Sequence, residues 1–302
     1  MASVFLNGEL VEREGARVSA FDAGLQHGVG VFETFLARGG APEDVVAHRL
    51  DEHLARLAGS AAELGLSERV RVEALGEAVR RTVAASGLER ARVRVTLTGG
   101  DLNMLEVAGR SQHTPTVMVV AQPVTAYPQE MFEQGVRATL ADARANPLDP
   151  TAGHKTLNYW WRLRELQRAA AKGAGEALVF QVTNHLCGGC VSNALIVKDG
   201  RVVTPIARGE EADVGGRGAL PSPVLPGVTR AEMLGECARL GLSVERRMVT
   251  IDDVLGADEV VLTNSSWGAL AVVGVEREGI GNEKPGEVAR SLRAYWMKLA
   301  LS

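Results

Sequence analysis

Two periodicities stand side by side in residues 48–97, and together they restrict the fold more than any other feature of the chain. From His48 to Leu66 apolar side chains fall at Leu50, Leu54, Leu57, Ala61 and Leu64, spacings of three and four that predict an amphipathic helix. Arg69 to Ala85 repeats that pattern. Ala91 to Leu97 then alternates strictly as Ala-Arg-Val-Arg-Val-Thr-Leu, which predicts a strand with one buried face. Val4 to Val11 reads as a hairpin turning at Asn7-Gly8, Gly28 to Leu36 as a strand entered through glycines, and Thr116 to Ala121 as another strand. Residues 1–121 are therefore expected to form a small α/β domain.

Gln122 to Pro128 carries two prolines and no period, and marks a linker expected over residues 122–133. A larger domain is expected over residues 134–302. Its expected strands are Gly135–Leu140, Ala177–Val182, Ala194–Val197, Arg201–Thr204 and Glu259–Thr263. Its expected helices are Asn158–Lys172, Thr229–Leu240, Thr250–Leu255 and Pro285–Leu299. Between them, Arg208 to Pro226 is rich in Gly, Pro and acids, a long loop of the kind that is often functional.

A chain of 302 residues suits two compact domains, and 46% apolar content fills two cores. The net charge of −4 is spread without a basic block, which argues against nucleic acid and membrane surfaces as partners. No stretch approaches the roughly 20 apolar residues of a membrane span. The first residues, Met1 to Gly8, lack the basic start and long apolar run of a signal peptide, so a cytoplasmic location is expected. Three cysteines, Cys187, Cys190 and Cys237, are too few for a disulfide framework. Cys187-Gly-Gly-Cys190 lacks the further ligands of a zinc site and leads into an apolar run instead of a helix, so neither metal binding nor redox exchange is expected.

Four stretches offer chemistry. Gly153-His-Lys-Thr-Leu-Asn-Tyr159 sets Lys155 ahead of a helix among apolar and aromatic residues, where desolvation or a nearby cation turns an amine into a nucleophile. A surface lysine at a helix start explains it as well. Leu225-Pro-Gly-Val-Thr-Arg230 puts Gly227, Val228 and Thr229 at a helix start, where backbone N–H groups cradle phosphate, or where Thr229 is an ordinary N-cap. Thr263-Asn-Ser-Ser-Trp-Gly268 follows a strand with hydroxyls suited to an anion, or is a plain turn. Arg56 lies on the first helix, pointing at an anion or at solvent.

The order of these stretches carries a resemblance. Phe5-Leu-Asn-Gly-Glu9, Gly28-Val-Gly-Val-Phe-Glu-Thr34, Arg49 to Ala61, Lys155 to Tyr159, Ser192-Asn193 and Leu225 to Arg230 resemble, in sequence and order, blocks of the class IV aminotransferases. That family includes branched-chain and D-amino acid aminotransferases and aminodeoxychorismate lyase. The resemblance implies an α/β (α+β) fold of type IV, with a small N-terminal α/β domain and a larger domain with a β-barrel-like core. It implies pyridoxal 5'-phosphate (PLP) as cofactor and a homodimer whose active site lies between the domains. By position, Lys155 holds PLP as a Schiff base and shuttles the proton, Arg56 binds the phosphate, and Val228 and Thr229 offer it their N–H groups. Ser265 and Ser266 complete that site and face the substrate carboxylate, Tyr159 lines the cofactor, and Asn193 belongs to the Ser-Asn block.

One position departs from the family. Five residues before Asn193 the family carries a glutamate that protonates the pyridine nitrogen, and here Gly188 stands in its place. Losing such a charge-assisted bond removes about 1.5–3 kcal/mol, one to two decades in rate if felt fully in the transition state. Another group serves the nitrogen, or the ring works unprotonated, or activity is impaired. Gly188→Glu is expected to raise any transaminase activity. The expected function is amino-group transfer between an amino acid and a 2-oxo acid. The alternative is the lyase reaction, which gives 4-aminobenzoate and pyruvate. Asn264-Ser265 and Phe32-Glu33-Thr34 resemble the lyase branch, where a threonine at the Thr34 position assists proton transfer.

Overall fold

The computed structural model describes residues 3–101, 114–215 and 220–301. The chain divides into two compact units, one of residues 1–125 with 155–158, the other of residues 126–154 with 159–302.

The first unit is a six-stranded sheet in the order β2-β1-β6-β5-β3-β4, all neighbours antiparallel. Its strands are β1 (Ser3–Leu6), β2 (Glu9–Glu12), β3 (Gly30–Arg38), β4 (Val46–Ala47), β5 (Arg90–Thr98) and β6 (Val117–Pro123). A short helix α1 (Ala23–His27) precedes β3, and helices α2 (Leu50–Glu63) and α3 (Val72–Ser86) cover one sheet face. The alternation in β5 does what it predicts: Ala91, Val93, Val95 and Leu97 are buried beneath Leu54, Leu57, Ala61, Leu75, Val79 and Val83 of the helices. The expected strand from Gly28 begins two residues late. Asp22 caps α1 through Gly24 N, and Gly28 ends that helix.

The second unit holds a nine-stranded mixed sheet in the order β12-β11-β10-β13-β14-β7-β8-β9, with β15 beside β14. The strands are β7 (Val136–Ala145), β8 (Glu176–Gln181), β9 (Leu186–Gly189), β10 (Asn193–Lys198), β11 (Arg201–Pro205), β12 (Ser243–Arg247), β13 (Glu259–Asn264), β14 (Gly268–Val275) and β15 (Glu278–Gly279). The end strand β9 turns back to touch β10 and β11, so the sheet curls into a half-barrel around Leu178, Leu186, Ile196, Leu262 and Val272. Strands buried on both faces, such as β8 and β10, read as continuous apolar runs for this reason. The helices are α4 (Glu130–Glu133), α5 (Trp160–Ala171), α6 (Val228–Arg239), α7 (Ile251–Leu255) and α8 (Glu287–Leu301). α5 covers β7 and β8, while α6 and α8 cover β13 and β14.

Three expectations change. The turn of helix α4 lies inside the expected linker. Leu186-Cys-Gly-Gly189, which its glycines disguise as loop, is a strand. The helix expected from Thr229 starts at Val228 with Gly227 as N-cap, so Thr229 lies inside it. The Arg208–Pro226 loop contains a 3-10 turn at Ala212–Val214, and its residues 216–219 lie outside those described. Among the described residues no helix is long and apolar enough to cross a membrane.

Candidate active site

In the first unit the period of β3 sorts its side chains. Val31, Glu33 and Phe35 face the helices, while Phe32 and Thr34 share the opposite face with Arg94, which pairs with Thr34 in register. Glu33 is 1% exposed and meets α2. Arg56 donates to its carboxylate from Nε at 2.8 Å and from Nη2 at 2.7 Å. His53, one helical turn before Arg56, meets the same carboxylate through Nδ1 at 2.7 Å. Burial pushes the Glu33 carboxyl up, but the Arg56 charge and the bonds from His53 and Arg56 outweigh it and hold the pKa at about 2. An ionised carboxylate only accepts, so His53 Nδ1 is the donor. Burial, together with the Arg56 and Lys155 charges, lowers the His53 pKa more than Glu33 raises it, and the ring stays neutral, with Nε2 buried and unpartnered among the described residues.

Lys155 is fixed by its main chain. Phe32 N donates to Lys155 O at 2.9 Å, Leu157 N donates to Gly30 O at 2.9 Å, and Thr156 bridges to Val31. Residues 155–157 thus run as a short extra strand along β3, and the lysine is half-buried. Its Nζ lies 4.5 Å from the centroid of the Phe32 ring, whose π face also takes the Arg94 guanidinium at 3.6 Å. The Lys155 charge is among the influences that lower the His53 pKa, so amine and buried cluster share one electrostatic neighbourhood.

In the second unit the start of α6 carries no side-chain cap. Its N-cap, Gly227, has no side chain to accept from the first helical amides, which leaves those of Val228 and Thr229 for another acceptor. Glycine is also required for space, because a Cβ at Gly227 would collide with Asn193 Oδ1. Asn193 Nδ2 in turn donates to Leu225 O at 2.9 Å and ties down the approach to the helix. Thr229 Oγ1 and Ser265 Oγ are 2.9 Å apart. Asn264 Oδ1 accepts from Ser266 N at 2.9 Å and from Trp267 N at 3.0 Å, which shapes the turn after β13. Thr263 Oγ1, at the end of that strand, is buried without a partner among the described residues. These hydroxyls and amides form a neutral, donor-rich set suited to a phosphate monoester. Tyr159 is the N-cap of α5.

The Cys187–Asn193 segment contains no acid, but one lies beneath it. Glu176, fully buried, accepts from Ala177 N, Cys190 N, Val191 N and Ser192 Oγ at 3.0, 3.2, 3.3 and 3.0 Å. Its carboxylate is committed to holding the turn. Gly188 has a φ of 140°, and a Cβ there would stand 2.6 Å from Ser192 O. A glutamate at this position must displace the turn, so the rise in activity expected for Gly188→Glu is set against backbone strain. Cys187 and Cys190 are buried free thiols, and burial pushes both up to about 12, so they stay protonated.

Residues 30–275 match the amino-transferase class IV family, and the chain belongs to it. D-alanine aminotransferase of Bacillus licheniformis is 28% identical over 301 residues, covering 99% of this chain and 97% of that protein. The T.th. branched-chain amino acid aminotransferase, solved with pyridoxamine 5'-phosphate, superposes with a TM-score of 0.85 at 26% identity, covering 99% of this chain and 93% of that one. The 4-amino-4-deoxychorismate lyase of Pseudomonas aeruginosa gives a TM-score of 0.81 at 27% identity, with 98% of each chain covered. The fold is type IV, the cofactor is PLP, and the enzyme is a class IV transaminase. The residues fit that cofactor at two points: a half-buried amine for its aldehyde, and an uncapped helix start with paired hydroxyls for its phosphate. At residue 188 they offer no acid.

The residues missed in the sequence are Glu33, His53, Arg94 and Glu176. Glu33 and His53 sit inside blocks that carry the resemblance, and the i, i+3 spacing of His53 and Arg56 puts both on one helix face. Nothing local marks Glu176, because its partners in the turn lie 14–16 residues away.

Proposed function

We propose that Lys155 holds PLP and carries the proton in a transfer of the amino group from an amino acid to a 2-oxo acid. Arg56, Val228, Thr229, Ser265 and Ser266 hold its phosphate, and Tyr159, Asn193 and Gly227 shape its pocket. PLP supplies the carbonyl that takes the amino group and the ring that accommodates charge at the reacting carbon. The observation that carries this reading is the Lys155 amine against the Phe32 ring, anchored by main-chain bonds to β3. A lysine so fixed has few orientations to lose when it reacts. Glu33 holds the Arg56 guanidinium by two bonds, and a fork so oriented presents its positive charge to a dianion with little reordering. The chain is further proposed to act as a cytoplasmic homodimer, as its family resemblance suggests.

A visible absorbance band on PLP addition, absent in Lys155→Ala, tests the lysine. An amino acid added alone converts the cofactor to its pyridoxamine form in a transaminase, with release of the matching 2-oxo acid. The lyase reading draws on Thr34, which shares a strand face with Phe32 and lies opposite Arg94. Pyruvate release from aminodeoxychorismate without any oxo-acid acceptor, lost in Thr34→Val, would favour it. Sedimentation of the purified protein tests the dimer.

A further inference from the structure

The turn at Gly188, which carries no acid of its own, has a charged neighbour. Arg162, on the first turn of α5, reaches across to the Cys187–Ser192 turn and donates from Nη1 to Cys190 O at 3.1 Å. Its guanidinium lies 4.4 Å from the Trp161 ring centroid and 5.8 Å from that of Tyr159. It is half-buried, and no carboxylate pairs with it among the described residues. The other charged groups close to this turn are Glu165 and Glu176. Both are committed: Glu165 accepts from Asp142 N at 3.1 Å and from Arg168 at 3.4 Å, and Glu176 from Ala177 N and three donors of the turn. No acid can be added at the neighbouring glycine either, because a Cβ on Gly189 would stand 2.7 Å from Glu176 Cδ.

We propose that Arg162 takes over the place of the acid, so that the pyridine nitrogen of bound PLP is an acceptor facing a cation and stays unprotonated. The proposal rests on the reading that the 188 position faces that nitrogen. The physical reason is twofold. A guanidinium has five N–H donors, no acceptor and a charge it does not lose, so any nitrogen it meets must accept. A fixed cation nearby also disfavours a second positive charge on the ring. Arg162 sits beside two groups that the family resemblance assigns to the cofactor's surroundings, Tyr159 and the turn before Asn193. The Cys187 and Cys190 thiols, neutral and buried, add no charge to offset it. The consequence is a weaker electron sink, which favours proton transfers that leave little charge on the ring. Arg162 acts here as a positioning residue for the ring.

The test is the 15N resonance of holoenzyme loaded with PLP labelled at the pyridine nitrogen, read in wild type, Arg162→Gln and Arg162→Glu. The expected wild-type resonance is that of an unprotonated pyridine, and Arg162→Glu is expected to move it to the pyridinium position. Arg162→Gln, which keeps a neutral donor, serves as the second variant should Arg162→Glu fail to fold, and its nitrogen is expected to titrate at higher pH than in wild type. A pyridinium resonance in the wild type overturns the proposal. So does an unprotonated nitrogen whose resonance and titration are the same in every folded variant. A wild-type protein that forms no Lys155-dependent band with PLP overturns this inference together with the functional reading beneath it. A band with a protonated nitrogen overturns this inference alone.

Discussion

Glu33 and Glu176 are both withdrawn from water, at 1% and 0% exposure, yet their carboxyls shift in opposite directions. Glu33 in the first unit is held down at about 2, and Glu176 in the second is pushed up. Burial acts against the charged form at both. The difference lies in the partners. Glu33 faces the full charge of Arg56 and a bond from His53, while Glu176 faces three backbone amides and a hydroxyl. Dipoles lower the Glu176 pKa without cancelling the cost of burial, whereas a guanidinium at 2.7 Å does. The two acids accordingly have different work: one orients a cation, the other shapes a turn.

If that distinction is right, removing the ion-paired acid costs more. Glu33→Ala takes from Arg56, 12% exposed, the carboxylate it faces, and is expected to destabilise the fold by about 3–5 kcal/mol. PLP is expected to bind more weakly as well. Urea unfolding of the cofactor-free protein gives the first number, and PLP titration gives the second. A loss below about 1 kcal/mol would break the comparison, since it would mean that the buried pair is no stronger than a surface one.

The pH dependence of the two acids is expected to have opposite sign. Glu33 has a folded pKa of about 2 against 4.5 in the free chain, so its stabilisation is complete above 4.5 and is lost as pH falls from there toward 2. His53 adds a loss of the same sign, beginning below its ordinary 6.5, because its folded pKa is lowered. Glu176 is raised, so its favourable contribution is complete below 4.5 and is lost as pH rises through its folded value. The stability difference between wild type and Glu33→Gln should therefore shrink in acid, and that between wild type and Glu176→Gln should grow. Each slope is bounded by about 1.4 kcal/mol per pH unit for one proton. Parallel urea series at neutral pH, at the ordinary carboxylate pKa of 4.5 and at more acid values below it read both, and equal signs would reject the account.

The turn that Glu176 shapes is expected to resist repair of the family pattern. Gly188→Glu places a side chain at a φ of 140° with its Cβ 2.6 Å from Ser192 O, so a destabilisation of about 1–3 kcal/mol is expected, with no gain in transaminase rate. A folded variant that runs faster would show that the turn yields and that the missing acid alone limits the reaction.

The contrast between the units also explains what the sequence made legible. The strict period of β5 and the three-and-four spacings of α2 and α3 report a single buried face, and the first unit followed from them. In the second unit, strands buried on both faces have no alternation to read, and β9 and β14 escaped because Leu186-Cys-Gly-Gly and Gly268-Ala-Leu-Ala look like turn and helix. Lys155, Arg56 and Thr229 could be named because they lie in compact blocks. The partners that set their surroundings, Glu33 for Arg56 and Glu176 beneath Gly188, depend on contacts made only after the strands register. The crowding at Gly188 was out of reach for the same reason, since a missing acid is visible in a sequence but a missing space is not.

A third carboxylate sharpens the comparison at its weak end. Asp253 combines both kinds of partner: Arg247 reaches it at 2.8 and 2.9 Å, and Thr250 N and Oγ1 donate to it at 2.8 and 3.0 Å in a capping box at the start of α7. The Arg247 bond is the largest influence lowering its pKa. By charge alone this pair resembles Glu33 with Arg56. Its side chains, however, are 37% and 25% exposed, so water screens the attraction and solvates either partner left behind. Arg247→Gln is therefore expected to cost only about 0.2–1 kcal/mol in urea unfolding, several-fold less than Glu33→Ala. Thr250→Ala, which removes the cap while the pair remains, should cost about 1 kcal/mol. Should Arg247→Gln prove as costly as Glu33→Ala, charge and not its withdrawal from water would set the strength of these pairs, and the distinction drawn between the two buried acids would lose its basis.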